Sequence, residues 1–460
     1  GLRAFFTNRR GSGGAVGGTL AVPGAWYVGF RQDLLENRLT RHNVYWRRIL
    51  ESVANDKGIV GLMHFSSRVE YGSLNPIADE EAKDRSRGVT FSKLNDANPT
   101  IHGLAPEPLP GPYRADPRGP RESREAICSF IAKHEGATEP NPDALFVLSS
   151  TSQAYSWLMK LLCDAGDAVL VPKPGYPLVD SIARLECVRS ISYPLHFDGS
   201  WTIDIAAIEE QLAHGNPQRI RAIVLINPNN PTASYVQSWE RQQLIRICAS
   251  YDLAIIADEV FFEYSLQTDE EQLERAQTVG QRFAGESQVL TFALDGFSKL
   301  LAAPHAKVGW IRVSGPQRER QEALTRLDTI ADDYLPMSNI IAQRIPELLA
   351  LADTQLCKVR ARVRANYTCL LSMVAQHPTG VADVLPAQAG WNVLLRFPSV
   401  IDEDALVLAL LRKHRLSAQP GYYFDMPSNG VLAVSLLPEM HVFERQIRAV
   451  LSQIDELLRA

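Results

Sequence analysis

Three polar side chains close apolar runs in this chain, and their types fit chemistry on an electron-poor ring. Lys299 stands in Phe297-Ser298-Lys299, ahead of Lys307-Val308-Gly309-Trp310. Asp258 sits in Ile255-Ile256-Ala257-Asp258-Glu259, and Asn230 in Asn227-Pro228-Asn229-Asn230-Pro231-Thr232. A lysine amine forms an imine with an aldehyde. A carboxylate beside a ring nitrogen raises that nitrogen's pKa and keeps it protonated. An amide can donate to a ring oxygen. Upstream, Ser150-Thr151-Ser152 follows an apolar run and opens a helix, where hydroxyls, backbone N–H groups and the helix dipole make a phosphate cradle. Tyr176, in Pro174-Gly175-Tyr176-Pro177, can stack on a flat ring. Lys307 offers a point charge to a phosphate.

Each residue also has a plain structural meaning. Ser150-Thr151-Ser152 can be an ordinary helix cap. Asp258 can bind a loop backbone, and Asn230 can serve its turn. Tyr176 can be packing, and lysines are mostly solvated. Order and spacing carry more than any member alone. An amine, an acid and an amide at strand ends, with a phosphate cradle upstream, are what holding pyridoxal phosphate (PLP) requires.

The elements that must position these groups can be read in outline. Arg121 to His134 has helical amphipathicity, and Ala144 to Leu148 is a short apolar run before a helix reaching Leu162. Ala168 to Val171 is a strand closed by Pro172 and Pro174, and Val188 to Tyr193 is another. Asp204 can cap a helix to Leu212. Ile220–Ile226, Leu253–Ala257, Val289–Ala293 and Val308–Val313 read as strands, with a helix from Ser238 to Ser250 between the first two. Continuous apolar runs separated by helices describe a mostly parallel sheet covered on both faces, with ligands at the carboxyl ends of the strands. Beyond it the pattern predicts a long helical stretch over Ser338–Ala375, a Trp391–Phe397 strand, an Asp402–His414 helix, a Val431–Leu436 strand and a last helix near Val442–Leu458. That suits a smaller α+β domain.

The 460 residues are enough for two or three domains. A formal charge of −5 leaves no basic footprint for nucleic acid. No apolar stretch approaches the roughly 18 residues of a membrane span. Six scattered cysteines without a CxxC pair argue for reduced thiols in a cytoplasm-like compartment and against a metal site. The first residues are arginine-rich and acid-poor; they read as a poorly ordered extension over 1–70, with a transit peptide as the alternative. Asn75 to Gly111 reads as an irregular entry segment.

Taken together, the motifs resemble the fold-type I PLP-dependent aminotransferases of class I/II, from roughly Asn75 to the C-terminus. Tyr113, in Pro112-Tyr113-Arg114-Ala115-Asp116-Pro117-Arg118-Gly119, looks like that family's tyrosine that reaches the phosphate bound by the partner subunit. Asn227 to Thr232 matches the NPxNPTG signature up to its final glycine, which is Ala233 here. The resemblance implies an α/β fold of the PLP-transferase type I: a large domain at 119–335 with a mostly parallel sheet between helices, and a small domain from 71–118 and 336–460. It implies Lys299 as the catalytic residue, and Tyr113, Thr151, Ser152, Tyr176, Asn230, Asp258, Ser298 and Lys307 as cofactor contacts. It also implies a homodimer, with an amino donor and a 2-oxo acid as the small-molecule substrates.

Three positions depart from the family. Phe261 replaces a tyrosine that donates to the ring oxygen, which leaves Asn230 as that oxygen's main partner and should raise the pKa of the lysine–cofactor imine. Gly296 stands where many members carry a phosphate-binding serine, and Lys307 where many carry arginine. Ala433, in Val431-Leu432-Ala433-Val434-Ser435, stands where an arginine clamps the substrate carboxylate; Arg396 is a candidate replacement. The same motifs also fit a carbon–sulfur or other α,β-eliminating lyase, since fold does not fix reaction. A non-catalytic PLP-binding regulator is the alternative of another class.

Overall fold

The computed structural model describes residues 63–69, 80, 83–89, 100, 109, 111–135, 140–214, 220–267, 282–335 and 337–459. The extension read over 1–70 lies almost wholly outside the described residues, as does most of the entry segment. The chain separates into two compact units, Gly1–Gly61 with Gly72–Arg114, and Leu62–Tyr71 with Ala115–Ala460. In the first, Tyr113 is exposed and its N–H donates to Thr100 Oγ1 at 2.7 Å.

The second unit is built on an eight-stranded sheet. Its strands are β1 (Leu145–Leu148), β2 (Ala168–Lys173), β3 (Arg189–Phe197), β4 (Trp201–Ile203), β5 (Ile220–Ile226), β6 (Ala254–Asp258), β7 (Thr291–Gly296) and β8 (Gly309–Ser314), in the order β1-β8-β7-β6-β5-β2-β3-β4. The run β7-β6-β5-β2-β3 is parallel, while β8 is antiparallel to both β7 and β1. The helices packed on this sheet are α1 (Arg121–Glu135), α2 (Thr151–Leu162), α3 (Leu178–Leu185), α4 (Ile205–His214), α5 (Ser238–Ser250), the short α6 (Phe297–Leu300) and α7 (Gln317–Tyr334).

Successive strand residues point to opposite faces, and the two faces have separate cores. Ile256, Val224, Phe292 and Ile311 pack with Leu158 of α2 and Leu327 of α7. Ile255, Ala257, Ile223 and Leu225 pack with Leu244 and Ile247 of α5. Coverage on both faces explains why the strands read as unbroken apolar runs.

The smaller part of this unit is an antiparallel sheet of β9 (Asp383–Val384), β10 (Asn392–Arg396), β11 (Gln419–Pro420) and β12 (Val431–Ser435), ordered β11-β12-β10-β9. Helices α8 (Ala352–Ala375) and α10 (Met440–Arg459) bury Val363, Leu370, Phe443 and Leu451 in a core shared with Val393 and Leu432. Two expectations from the sequence change here. The stretch 338–375 is three helical pieces, Asn339–Ala342, Ile345–Leu349 and α8, with Pro346 in the first turn of the second piece, where a missing N–H costs nothing. The helix from Asp402 ends its α-helical part, α9 (Glu403–Ala409), before a wider π turn over Leu410–His414.

Candidate active site

The site forms where β5, β6 and β7 end side by side. Asn227 N–H donates to Asp258 O at 2.8 Å, and Glu259 N–H to Leu294 O at 3.0 Å, so the three strand ends are tied backbone to backbone. Ala254, Ile256 and Asp258 alternate onto the face covered by α2. There Tyr155 Oη donates to Asp258 Oδ2 at 2.9 Å, and Val260 N–H donates to Oδ1 at 3.3 Å. Asp258 is 7% exposed. Burial pushes its carboxyl up from the ordinary value, while Tyr155, the Val260 N–H and Lys299 pull it down; the net is upward.

Lys299 lies on α6, directly after β7. Its backbone is pinned by Tyr264, whose hydroxyl donates to Lys299 O at 2.6 Å. Its Nζ is 4.9 Å from the centroid of the Trp391 ring and 5.1 Å from that of Phe261. Those two rings meet edge to face, 5.5 Å apart. Burial among them lowers the Lys299 pKa, against the pull of the Asp258 charge. A lysine with a lowered pKa keeps more of its amine neutral and nucleophilic.

Asn230 belongs to the turn after β5. Asn392 Nδ2, at the head of β10, donates to Asn230 Oδ1 over a long 3.5 Å. That contact leaves the Asn230 Nδ2 end as the donor for a ligand. Its neighbour Asn229 is buried and braces two loops: Nδ2 donates to Pro174 O at 3.1 Å and to Thr232 Oγ1 at 2.9 Å. The bond to Pro174 ties the Asn230 turn to the segment carrying Tyr176, whose ring is 42% exposed. Burial and the Asp258 charge both raise the Tyr176 pKa, which places that ring within the field of the same carboxylate.

Thr151 and Ser152 open α2, where Ser150 is the cap and its Oγ accepts from Gln153 N–H at 3.2 Å. The first N–H groups of a helix have no partner within it. Gly309 lies against this corner: a Cβ there would meet Thr151 N and the Ser150 carbonyl carbon, each at 3.1 Å. Ser298 is half-buried beside Lys299, and Lys307 is exposed with a left-handed φ of 52°. The structure therefore brings Asn230, Asp258, Ser298 and Lys299 to adjoining strand ends, and links Tyr176 to them through Asn229. Thr151 and Ser152 belong to the helix that supplies Tyr155. Tyr113 belongs to the other unit and is described only within it.

Arg396, weighed as a substitute carboxylate clamp, does not join this group. It ends β10 opposite Val431 and pairs with Asp383 at 2.7 Å. It stands four positions from Asn392, about 13 Å along a strand. Ala433 is half-buried, paired with Leu394 and Gln419.

Several members escape sequence reading. Tyr155 sits one helical turn after Thr151, a spacing that places both near the same face, but its partner is 103 residues away. Trp391, Asn392 and Tyr264 carried no motif. Neither did the ion cluster around Arg282, whose guanidinium reaches Glu263 at 2.9 Å, Asp295 at 3.5 Å and Glu259 at 3.8 Å.

The donor set fits PLP: an amine with a lowered pKa, a buried carboxylate, an amide with a spare N–H end, and a helix start kept open by a glycine. The comparisons agree. The model of the family described as aminotransferase class I and II matches residues 114–442. An alanine aminotransferase of Mycobacterium tuberculosis is 25% identical over 407 residues, covering 85% of this chain and 90% of that protein. The glutamate-pyruvate aminotransferase AlaA of Escherichia coli is 26% identical over 404 residues, covering 82% and 95%. Among solved structures, an alanine aminotransferase from Pyrococcus furiosus superposes with a TM-score of 0.66 at 19% identity, covering 85% of this chain and 99% of that one. This chain belongs to the class I and II aminotransferases of PLP fold type I. It is an enzyme, its cofactor is pyridoxal phosphate, and its reaction moves an amino group between an amino compound and a 2-oxo acid.

Proposed function

We propose that Lys299 is the covalent anchor of the cofactor and the proton carrier of the transfer. The observation that carries this is the setting of its Nζ, half-buried between Phe261 and Trp391 with Asp258 as its charged neighbour. When bound, PLP supplies an aldehyde for the substrate amine and an electron sink for the substrate's α-carbon. Asp258 would hold the ring nitrogen protonated, Asn230 Nδ2 would donate to the ring oxygen, and Tyr176 would cover a ring face. Thr151, Ser152, Ser298 and Lys307 would hold the phosphate, with Tyr113 reaching the phosphate of the partner subunit in a homodimer. The large domain is placed at 119–335, the small one at 71–118 and 336–460, and the compartment is the cytoplasm.

Lys299 Nζ would take the proton from the substrate's α-carbon and hold it for return, as general base and then acid. General base and acid work of this kind is worth about 10²–10⁴-fold in rate. Lys299→Ala should lose that factor and should lose the covalent cofactor. The test is borohydride reduction followed by peptide mass analysis. Cofactor mass on the peptide with Lys299 in the wild type, and none in the variant, is the expected result. A reduced cofactor on any other lysine overturns the assignment.

For the substrates, the relatives named above put glutamate first as donor with pyruvate as acceptor, and alanine as donor in the reverse direction. Ala433 argues that no β12 arginine fork holds the donor's α-carboxylate. Each donor should then be assayed beside its decarboxylated counterpart. A site built to hydrogen-bond a group rejects an analogue lacking it by about 10⁴–10⁵-fold. Here a ratio of kcat/KM well below that is expected, and a full 10⁴-fold preference would show that another cation does the clamping.

A further inference from the structure

We propose that Tyr155 is a positioning residue for the transfer, its hydroxyl holding Asp258 as an anion for the cofactor's ring nitrogen. The inference rests on the role given to Asp258 under the proposed function. Tyr155 is 2% exposed and its hydroxyl meets Oδ2 at 2.9 Å from inside α2. Burial alone favours a neutral carboxylic acid, and a neutral acid cannot stabilise a protonated ring nitrogen. Among the described residues, four groups face Asp258: the Tyr155 hydroxyl, the Val260 N–H, Lys299 and Tyr176. The Val260 bond is long at 3.3 Å, the Lys299 amine is committed to the cofactor, and Tyr176 lies half-open to solvent. Tyr155 is the short, permanent donor. Burial and the Asp258 charge hold its own pKa well above the ordinary value, so it remains a donor throughout the neutral range.

The reach of the hydroxyl follows from register. Asp258 continues the Ala254–Ile256 face of β6, against which α2 packs. Tyr155 is the α2 residue one turn beyond the Thr151 start, so a single helix offers its N-terminus to a phosphate and its second turn to the carboxylate.

The test uses wild type and Tyr155→Phe, each loaded with PLP carrying ¹⁵N in the ring. The wild type should give the signal of a protonated ring nitrogen. Tyr155→Phe should move it toward the unprotonated position, and kcat should fall about tenfold, the scale of one hydrogen bond to a charged group. PLP methylated on its ring nitrogen has a fixed positive charge and should bring the two enzymes to the same kcat. Tyr155→Leu is a second variant without the donor, should the first fail to accumulate. An unmoved ¹⁵N signal, or a kcat deficit that survives the methylated cofactor, overturns the proposal. Borohydride trapping on Lys299 in the wild type separates the two readings. Failure to trap there would sink the cofactor assignment itself, whereas trapping with an unmoved signal would sink only the role of Tyr155.

Discussion

Phe261 shows how one missing atom reaches the chemistry. It packs against Trp391 beside the Lys299 amine and brings no hydroxyl. On the proposed assignment, the ring oxygen of the cofactor would depend on Asn230, whose Oδ1 accepts from Asn392. A less well solvated oxyanion is more basic, which favours the protonated form of the lysine–cofactor link. Phe261→Tyr should lower the pKa read from the absorbance titration of that link by about one unit, since a hydrogen bond to a charged form is worth roughly 1.5 kcal/mol. A titration that superposes on the wild type would show that position 261 does not reach the oxygen. Ala233 is the companion case. It occupies the glycine place of the signature and carries a φ of 56°. A left-handed alanine costs about 1–2 kcal/mol. Glycine would relieve that, but would lose about 0.5–1 kcal/mol in chain entropy and about 0.8 kcal/mol from one buried methyl. Ala233→Gly should leave the melting temperature nearly unchanged, and a shift of many degrees in a thermal melt would refute this balance.

The inner strands β2, β5, β6 and β7 were legible because they are buried on both faces and read as apolar runs. Helices with a clear apolar stripe, such as α1, were legible too. The edges were not. The strands β4, β9 and β11 have two or three residues each, too few to show a period. Helix α7 begins Gln317-Arg318-Glu319-Arg320-Gln321-Glu322, and its charge hides the face that buries Leu324 and Leu327. Motifs point to the lysine, the acid and the amide, because their immediate neighbours in sequence mark them. Tyr155, which donates to the acid, and the nearby Arg282 cluster come from distant segments and have no local signature. That cluster is an element-scale device. Alternation along the chain sends Asp258 to Tyr155, whereas the adjoining Glu259 turns to Arg282. Asp295, at the end of β7, faces the same guanidinium and accepts from Gly296 N–H at 2.7 Å. Burial outweighs both partners and pushes the Asp295 carboxyl up to about 7. The folded state thus keeps this proton to higher pH than the unfolded chain, whose value is about 3.9. The associated stability is complete below that value and is lost as pH rises to about 7. Asp295→Asn cannot titrate. Its melting temperature should gain on the wild type across this window and hold a constant offset above it; an offset independent of pH would refute the raised value. At the other corner, Gly309→Ala forces a methyl onto the α2 start. Overpacking of that kind costs about 1–3 kcal/mol, so the variant should melt lower and bind PLP more weakly, which denaturant titration and cofactor titration measure.

At the scale of the whole molecule, the second unit supplies a large sheet, a small sheet and the lysine, while Tyr113 is part of the other unit. If Tyr113 serves the partner's phosphate, no single subunit has a complete site, and the two defects Lys299→Ala and Tyr113→Phe must complement. A hybrid dimer pairs a subunit lacking the lysine with one lacking the hydroxyl. The site built on the second subunit's Lys299 receives Tyr113 from the first and is fully wild type; the other site has neither. Random pairing of equal amounts of the two variants makes half of the dimers hybrids, and half of the sites in each hybrid are intact. Activity should therefore recover to about a quarter of the wild-type level through exchange across a two-fold interface, above whatever Tyr113→Phe retains alone. Co-expression with two affinity tags, followed by tandem purification, isolates the hybrid, which should then show about half of the wild-type activity. If Tyr113 acts within its own subunit, every site in the hybrid carries one defect. The purified hybrid would then show no gain over the mean of its parents, and the shared site would have to be abandoned.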